Sequence, residues 1–173
     1  MAGRHASRSS TTNCSLRGRP LLRNPNLLRF GSDKIKDEVL LVARLLLITL
    51  FLLSGWSKLT DYSQTVGHLT QIGAPVPALA AGVAIFMEVP VAIAIVVGVF
   101  TRPSAILLAF YTLGAALIAH HYWTMTGAAQ LDNMIHFYKN VSIMGGFLLL
   151  YVTGPGKYSV DAKFGMLGAK TDW

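Results

Sequence analysis

A single carboxylate lies in the middle of a long apolar run of this chain. Glu88 interrupts residues 77–100, PALAAGVAIFMEVPVAIAIVVGVF, and Pro90 follows it two residues later. A carboxylate at the centre of a lipid bilayer costs roughly 2.5 kcal/mol or more, and it is rarely found there without a partner. Any chemistry in this run therefore depends on the cations and hydrogen-bond donors that neighbouring segments bring to Glu88.

Two cations and one amide lie inside other apolar runs. Arg44 is near the start of the first run, whereas Lys139 and Asn140 belong to the last one. In antiparallel membrane helices, either cation lies roughly 10 Å in depth from Glu88. The expected pairing is Glu88 with Arg44 or Lys139, within one buried polar core of Arg44, Glu88, Lys139 and Asn140. Such a core either fixes helix register or takes part in proton or quinone chemistry, and the spacing leaves both open.

A second group of titratable side chains falls at the ends of the apolar runs. Its members are the candidate contacts for a quinone or another small ligand: Lys58, His120, His121 and His136. The alternative is that they lie among lipid headgroups. Paired imidazoles in a helical bundle also bind haem or a metal ion. No CxxCH or HExxH motif supports that use, so no metal site is predicted, haem is disfavoured and quinone stays open.

The composition indicates that a membrane holds these side chains. Charged residues make up 13% of the 173 residues and hydrophobic residues 53%, whereas soluble domains are about 25% charged. Apolar runs at about 39–56, 77–100, 103–123 and 134–152 have the length of bilayer spans. The predicted fold class is all-α integral membrane, with residues 33–156 forming an antiparallel four-helix transmembrane bundle. A short surface helix is expected within residues 63–72.

The distribution of basic residues predicts the orientation of the chain. Residues 1–32 are rich in arginine and contain no acidic residue, Arg102 follows the second run, and lysines follow the fourth. The positive-inside rule then places both termini in the cytoplasm. Residues 1–32 are predicted to be a disordered basic tail, with an organelle transit peptide or a docking arm as alternatives. Residues 157–173 form a short C-terminal tail, and the net charge of +7 is not interpreted as a nucleic-acid surface.

The order of these residues resembles the DoxX family of small four-span membrane proteins. The resemblance runs from about Leu41 to Asp161. The segments that carry it are Ala43-Arg44, Gly55-Trp56-Ser57-Lys58-Leu59, Ile72-Gly73-Ala74-Pro75, Glu88, Gly98, Thr101-Arg102, Lys139-Asn140, Gly145-Gly146 and residues 154–161, GPGKYSVD. The resemblance implies a four-span fold and an inner-membrane address in bacteria or archaea, or an organelle membrane if the tail is a transit peptide.

The functional expectation from this resemblance is a subunit or anchor of a quinone-linked membrane redox complex. The family offers no agreed set of catalytic residues, so an oxidoreductase subunit without a catalytic motif of its own is expected. The lone cysteine, Cys14, excludes a CxxC thiol relay within the chain. Expected partners are the lipid bilayer, a soluble or membrane redox protein, and another copy of the chain. The alternatives are a small proton-coupled transporter, with Glu88 titrating, and a structural or assembly subunit.

Overall fold

The elements of this fold are all helices in the residues that the structure describes. A computed structural model describes residues 32–165, so the predicted basic tail before Ser32 and residues 166–173 lie outside the described part. The α-helices are α1 Ser32–Thr60, α2 Tyr62–Gln71, α3 Pro77–Phe86, α4 Ala92–Val97, α5 Thr101–Ala119, α6 Gly127–Thr153 and α7 Val160–Phe164. The all-α prediction is confirmed, and α2 corresponds to the short helix expected within residues 63–72.

Three segments are long and apolar enough to cross a bilayer. They are Ile35–Thr60, Pro77–Val97 and Thr101–Thr124. The shortest has 21 residues, which give about 30 Å of helix, the thickness of the hydrocarbon core. These segments contain the first three predicted runs, apart from the last residues of the second. The fourth predicted run lies within α6, whose first half carries polar and charged residues.

The second of these segments is not a continuous α-helix. A π-helical turn, Met87–Val91, separates α3 from α4 and contains both Glu88 and Pro90. Proline has no backbone N–H, and its ring clashes with the preceding turn of an α-helix. A wider π-turn relieves that clash, and such turns occur frequently at functional sites. At Pro90 the helix therefore contains a widened turn around Glu88.

The close approach of α1 to this turn depends on Gly55. A Cβ atom at Gly55 would lie 2.7 Å from Val89 Cγ2 and 2.9 Å from Glu88 Cβ, which is closer than carbon atoms pack. Only glycine therefore lets the backbone of α1 rest against the backbone that carries Glu88. This contact sets the distance between Glu88 and the next turn of α1.

The interior below this contact is an apolar core shared by α1, the π-turn, α4, α5 and α6. Ile48, Leu108 and Phe147 are fully buried in it, and the rings of Phe51 and Phe147 meet edge to face at 5.3 Å. α6 packs along α5, and α1 packs against the π-turn and α4. Between membrane spans, such tight packing stabilises the fold in place of removal from water. Buried polar side chains lie at the two ends of this core, Glu88 at one end and Arg44 at the other.

Candidate functional site

Glu88 is held by hydrogen bonds from two different helices. Its side chain is buried, with 6% of the residue exposed. Lys58 Nζ donates to Glu88 Oε2 at 2.7 Å, and the Tyr111 hydroxyl donates to Glu88 Oε1 at 2.5 Å. Lys58 Nζ also donates to Ser54 Oγ at 2.5 Å. Because both carboxylate oxygens have a donor and one donor is charged, the buried Glu88 is fully partnered. We call these four residues the Glu88 cluster.

The local helix geometry positions each side chain of the Glu88 cluster. Ser54 and Lys58 are one turn apart on α1, so both project from the same face. Gly55 lies between them and brings that face against the π-turn. Tyr111 lies in the middle of α5, where its ring packs against the core and its hydroxyl reaches Glu88.

The cation paired with Glu88 is not the one predicted. The prediction of Arg44 or Lys139 is wrong, because Lys58 forms the ion pair at 2.7 Å. The prediction assigned Lys58 to the interface because the apolar run ends near Trp56. In the structure α1 continues to Thr60, and the long lysine stem carries the ammonium group to Glu88. Lys139 hydrogen-bonds to His136 instead.

A cavity of about 510 Å³ opens beside the Glu88 cluster. Residues from α1, α2, α3, the π-turn, α5 and α6 line it, and most of them are apolar. Its polar lining consists of Ser54, Lys58, His68, Glu88, Tyr111, Thr112, His120, Lys139 and Asn140. Apolar walls with a few convergent polar groups are typical of a small-molecule site. Lys139 and Asn140 therefore share a cavity with Glu88, although neither is hydrogen-bonded to it.

The first half of α6 carries a series of polar side chains that leads to this cavity. Lys139 Nζ lies 2.7 Å from His136 Nδ1, and His136 Nε2 lies 3.7 Å from Asp132 Oδ1. From α5, the His120 ring stacks on the His136 ring at 5.1 Å. The predicted ligand group is thus only partly assembled at the cavity, through Lys58, His120 and, behind Lys139, His136.

His121 does not belong to this assembly. Its Nδ1 lies 2.9 Å from the Ile118 carbonyl oxygen, and its ring packs near Trp123. α5 ends at Ala119, and the chain turns before it enters a short 3₁₀ helix at Tyr122–Thr124. Because of that turn, two neighbouring histidines point to different surroundings.

Arg44 belongs to a second polar cluster, about 21 Å from Lys58 along α1. It is 1% exposed, and its Nη2 donates to the Tyr158 carbonyl oxygen at 2.5 Å. Asp161, 4% exposed, lies close enough for its charge to act on Arg44. The Asp161 carboxylate also accepts the N–H groups of Phe100 and Thr101, at 2.9 and 2.8 Å, where α5 begins. We call Arg44, Tyr158 and Asp161 the Arg44 cluster, and the predicted single polar core is therefore two clusters.

The segment that supplies the Arg44 cluster is also bound to the start of α1. The Lys157 backbone N–H donates to Asp37 Oδ1 at 2.9 Å, and Lys157 Nζ donates to Glu38 Oε1 at 3.1 Å. The Tyr158 hydroxyl donates to the same Glu38 oxygen at 3.0 Å. The hydrogen bond to Glu38 raises the pKa of the exposed Lys157 ammonium. Residues 157–161 thus join the start of α1 to the start of α5.

Four residues of these clusters are not among the site residues predicted from the sequence: Ser54, Tyr111, Tyr158 and Asp161. Tyr111 is one aromatic residue in an apolar run, which is typical of a core position, so nothing marked it. Asp161 was noted only as the end of the GPGKYSVD segment. In the structure Asp161 lies in the first turn of α7, yet its carboxylate accepts N–H groups where α5 begins, and no sequence pattern indicates that helix as its partner.

Comparison with known proteins identifies the family of the chain. The DoxX family model matches residues 39–121. The inner membrane protein YphA of Escherichia coli (strain K12) is 51% identical over 139 residues, which are 80% of this chain and 99% of that protein. The inner membrane protein YqjF of the same strain is 39% identical over 128 residues, 74% of this chain and 93% of that protein.

A more distant similarity extends to a eukaryotic protein. The ER-derived vesicles protein ERV29 of Saccharomyces cerevisiae is 28% identical over 136 residues, which are 79% of this chain and 37% of that protein. No solved structure matches the chain. With its bilayer-spanning helices and its two bacterial relatives, the chain is an integral membrane protein of the bacterial inner membrane, and it belongs to the DoxX family.

Proposed function

We propose that this DoxX-family protein is the quinone-binding membrane subunit of a redox complex, and that the quinone ring lies in the cavity beside Glu88. The observation that carries the proposal is the combination of apolar walls with the hydrogen-bonded Glu88 cluster. A quinone ring is flat and apolar, and its carbonyl oxygens accept hydrogen bonds. Lys58 and Tyr111 are donors at the cavity wall, and Glu88 is a carboxylate that exchanges protons with them.

In this proposal the redox partner and this chain have separate tasks. Electrons come from a redox partner protein, and this chain binds the quinone, orients its carbonyl oxygens and exchanges its protons. The apolar lining supports such a role, because a lipid-soluble ring enters from the bilayer into surroundings of similar polarity. From the sequence we expect a subunit without a catalytic motif of its own. That expectation agrees with a subunit that binds the quinone and exchanges its protons.

The proposal includes α6 as the fourth span of an antiparallel four-helix bundle with both termini in the cytoplasm. α6 has 27 residues, which give about 40 Å of helix, and it packs along α5. Lys139 and Asn140 line the cavity, so part of the polar side of α6 faces protein. The basic residues that flank the spans support the orientation.

Quinone binding to the purified full-length chain in lipid nanodiscs tests this function. With a short-chain ubiquinone as the probe, we expect saturable binding that weakens about tenfold in Tyr111→Phe, since the quinone loses one hydrogen-bond donor of the cavity wall. Tyr151→Phe is the matched control, because Tyr151 is exposed and does not line the cavity. No saturable binding, or equal affinities in all three proteins, contradicts the proposal.

A second candidate is proton-coupled transport of a small solute, which the π-turn around Glu88 favours. π-turns interrupt the regular helix where functional residues lie, and here the turn carries the cavity carboxylate itself. In liposomes, this function gives proton-coupled flux that disappears in Glu88→Gln. The quinone proposal gives ubiquinone binding without flux.

A further inference from the structure

We infer that Asp132, His136 and Lys139 form a proton relay between the surface near the start of α6 and the cavity that holds Glu88. These residues lie one turn apart on the same face of α6, and the series covers about 10 Å along the helix axis. The outer member, Asp132, has a side chain that is 71% exposed. The inner member, Lys139, lines the cavity.

The two ring nitrogens of His136 face opposite ends of this series. Lys139 Nζ donates to His136 Nδ1 at 2.7 Å, because a lysine ammonium is only a donor. In the neutral ring the proton is then on Nε2, which faces Asp132 at 3.7 Å. A small rotation of the exposed Asp132 side chain brings the two into hydrogen-bond range.

One proton crosses the series in balanced steps. The Lys139 ammonium gives a proton to His136 Nδ1, which leaves a neutral amine and an imidazolium. The imidazolium then releases its Nε2 proton to the Asp132 carboxylate or to water, which leaves the ring protonated on Nδ1; loss of that proton to water and gain of one from water at Nε2 restores the starting tautomer. The reverse steps carry a proton inward. No electron moves, and each bond broken to hydrogen is matched by one formed.

The inner end of the relay is connected to Glu88 through the cavity. Lys139, Glu88, Lys58 and Tyr111 all line it, and its volume of about 510 Å³ has room for several water molecules at about 30 Å³ each. Water between polar groups forms hydrogen bonds nearly as good as direct ones. Protons therefore pass between the Lys139 ammonium and Glu88, or a ligand beside it, without a further side chain.

His120, the other imidazole near the series, does not conduct. Asn133 donates its amide N–H to the Ala129 carbonyl, so its oxygen faces His120 Nδ1 at 3.1 Å. An amide oxygen does not pass the proton on, and His120 is thereby fixed with its ring stacked on His136. The titratable groups that face His136 are then Asp132 and Lys139 from α6 and His120, which directly follows α5. The remaining titratable groups of the cavity are His68 on α2 and the members of the Glu88 cluster.

Time-resolved infrared spectroscopy of the full-length chain in nanodiscs tests the relay. After a rapid acid jump, the rise of the protonated Glu88 carboxyl band is followed, and the band is assigned by its loss in Glu88→Gln. We expect His136→Ala to slow this rise about 100-fold, within the range that positioned proton-transfer groups contribute. Free imidazole in the buffer restores the rate. The matched control, His121→Ala, keeps the wild-type rate, because His121 is outside the series.

The relay rests on the proposed function only for its purpose, which is proton exchange with a bound quinone. An unchanged rate in His136→Ala, or a slow rate that imidazole does not restore, overturns the relay even if ubiquinone binds normally. Absence of ubiquinone binding combined with a slow, imidazole-rescued rate overturns the proposed function and supports the relay. The two failures are therefore distinguishable in the same preparation.

Discussion

The Glu88 cluster and the Arg44 cluster each hold one cation of α1, in different ways. At the Glu88 cluster, Lys58 meets side chains, and a cavity adjoins the carboxylate. At the Arg44 cluster, Arg44 donates to a backbone carbonyl oxygen. Both carboxylate oxygens of Asp161 accept hydrogen bonds from backbone N–H groups. A partner that is a side chain can exchange protons and move, whereas a partner that is backbone holds helices in place. We therefore propose ligand chemistry for the Glu88 cluster and a stabilising role for the Arg44 cluster.

The largest effect on stability is expected from Arg44→Ala. Removing Arg44 leaves the Tyr158 carbonyl oxygen without its charged donor and the buried Asp161 without a nearby positive charge, and stranding such groups costs about 3 kcal/mol. The measurement is the free energy of unfolding in detergent micelles.

Lys163→Ala in α7 is the control for this change. Lys163 is exposed, and substitutions of that kind usually stay within about 0.5 kcal/mol. Equal stabilities for Arg44→Ala and Lys163→Ala would remove the distinction between the two clusters.

A smaller loss of stability, located at the Glu88 cluster, is expected from Gly55→Ala. The added methyl group overlaps with Val89 and Glu88, and such overpacking costs about 1–3 kcal/mol. It also moves Lys58 away from Glu88, so ubiquinone binding weakens together with stability. The control is Gly82→Ala, where a Cβ atom meets nothing within 4 Å. If both variants behave alike, the close approach of α1 does not position the cluster.

The smallest effect concerns the exposed Lys157, and it depends on pH. The hydrogen bond to Glu38 raises the pKa of Lys157, so the charged lysine favours the folded state. The stability from this contact is fully present below the pKa of the unfolded chain and is lost as pH rises through the higher folded value. Thermal unfolding across alkaline pH should show wild type losing a small advantage over Lys157→Met. A difference that is constant with pH would assign the contact to packing.

The helices and the position of Glu88 along its helix can be predicted from the sequence, whereas the partners of Glu88 cannot. Apolar runs of bilayer length identify spans, whatever the packing. Partner choice depends on the rotation of each helix about its axis, on the widened turn at Pro90 and on the approach that Gly55 permits. Estimates of depth along straight helices therefore selected Arg44 and Lys139, whereas the long Lys58 side chain reaches the carboxylate.

The Arg44 cluster was unpredictable for a different reason. Its partners come from a segment without apolar periodicity that folds back onto the first and fifth helices. Nothing in residues 157–161 indicates which helix ends they bind, since a short polar segment fits many surfaces. The cavity is intermediate in predictability. Five of its nine polar residues are candidate site residues from the sequence, whereas its shape depends on α2 lying against α3.

The contact between Arg44 and Tyr158 has a consequence for synthesis of the chain. Its two residues are 114 positions apart, so the ribosome makes the partner of Arg44 about 6 to 20 s after Arg44 itself. During that interval the first span enters the bilayer with an arginine that lacks its final partner, and the long side chain reaches toward the headgroups. The contacts of the first helix are thus completed only after α6 has been synthesised. A nascent chain that stops before Tyr158 lacks the carbonyl oxygen that accepts this hydrogen bond from Arg44.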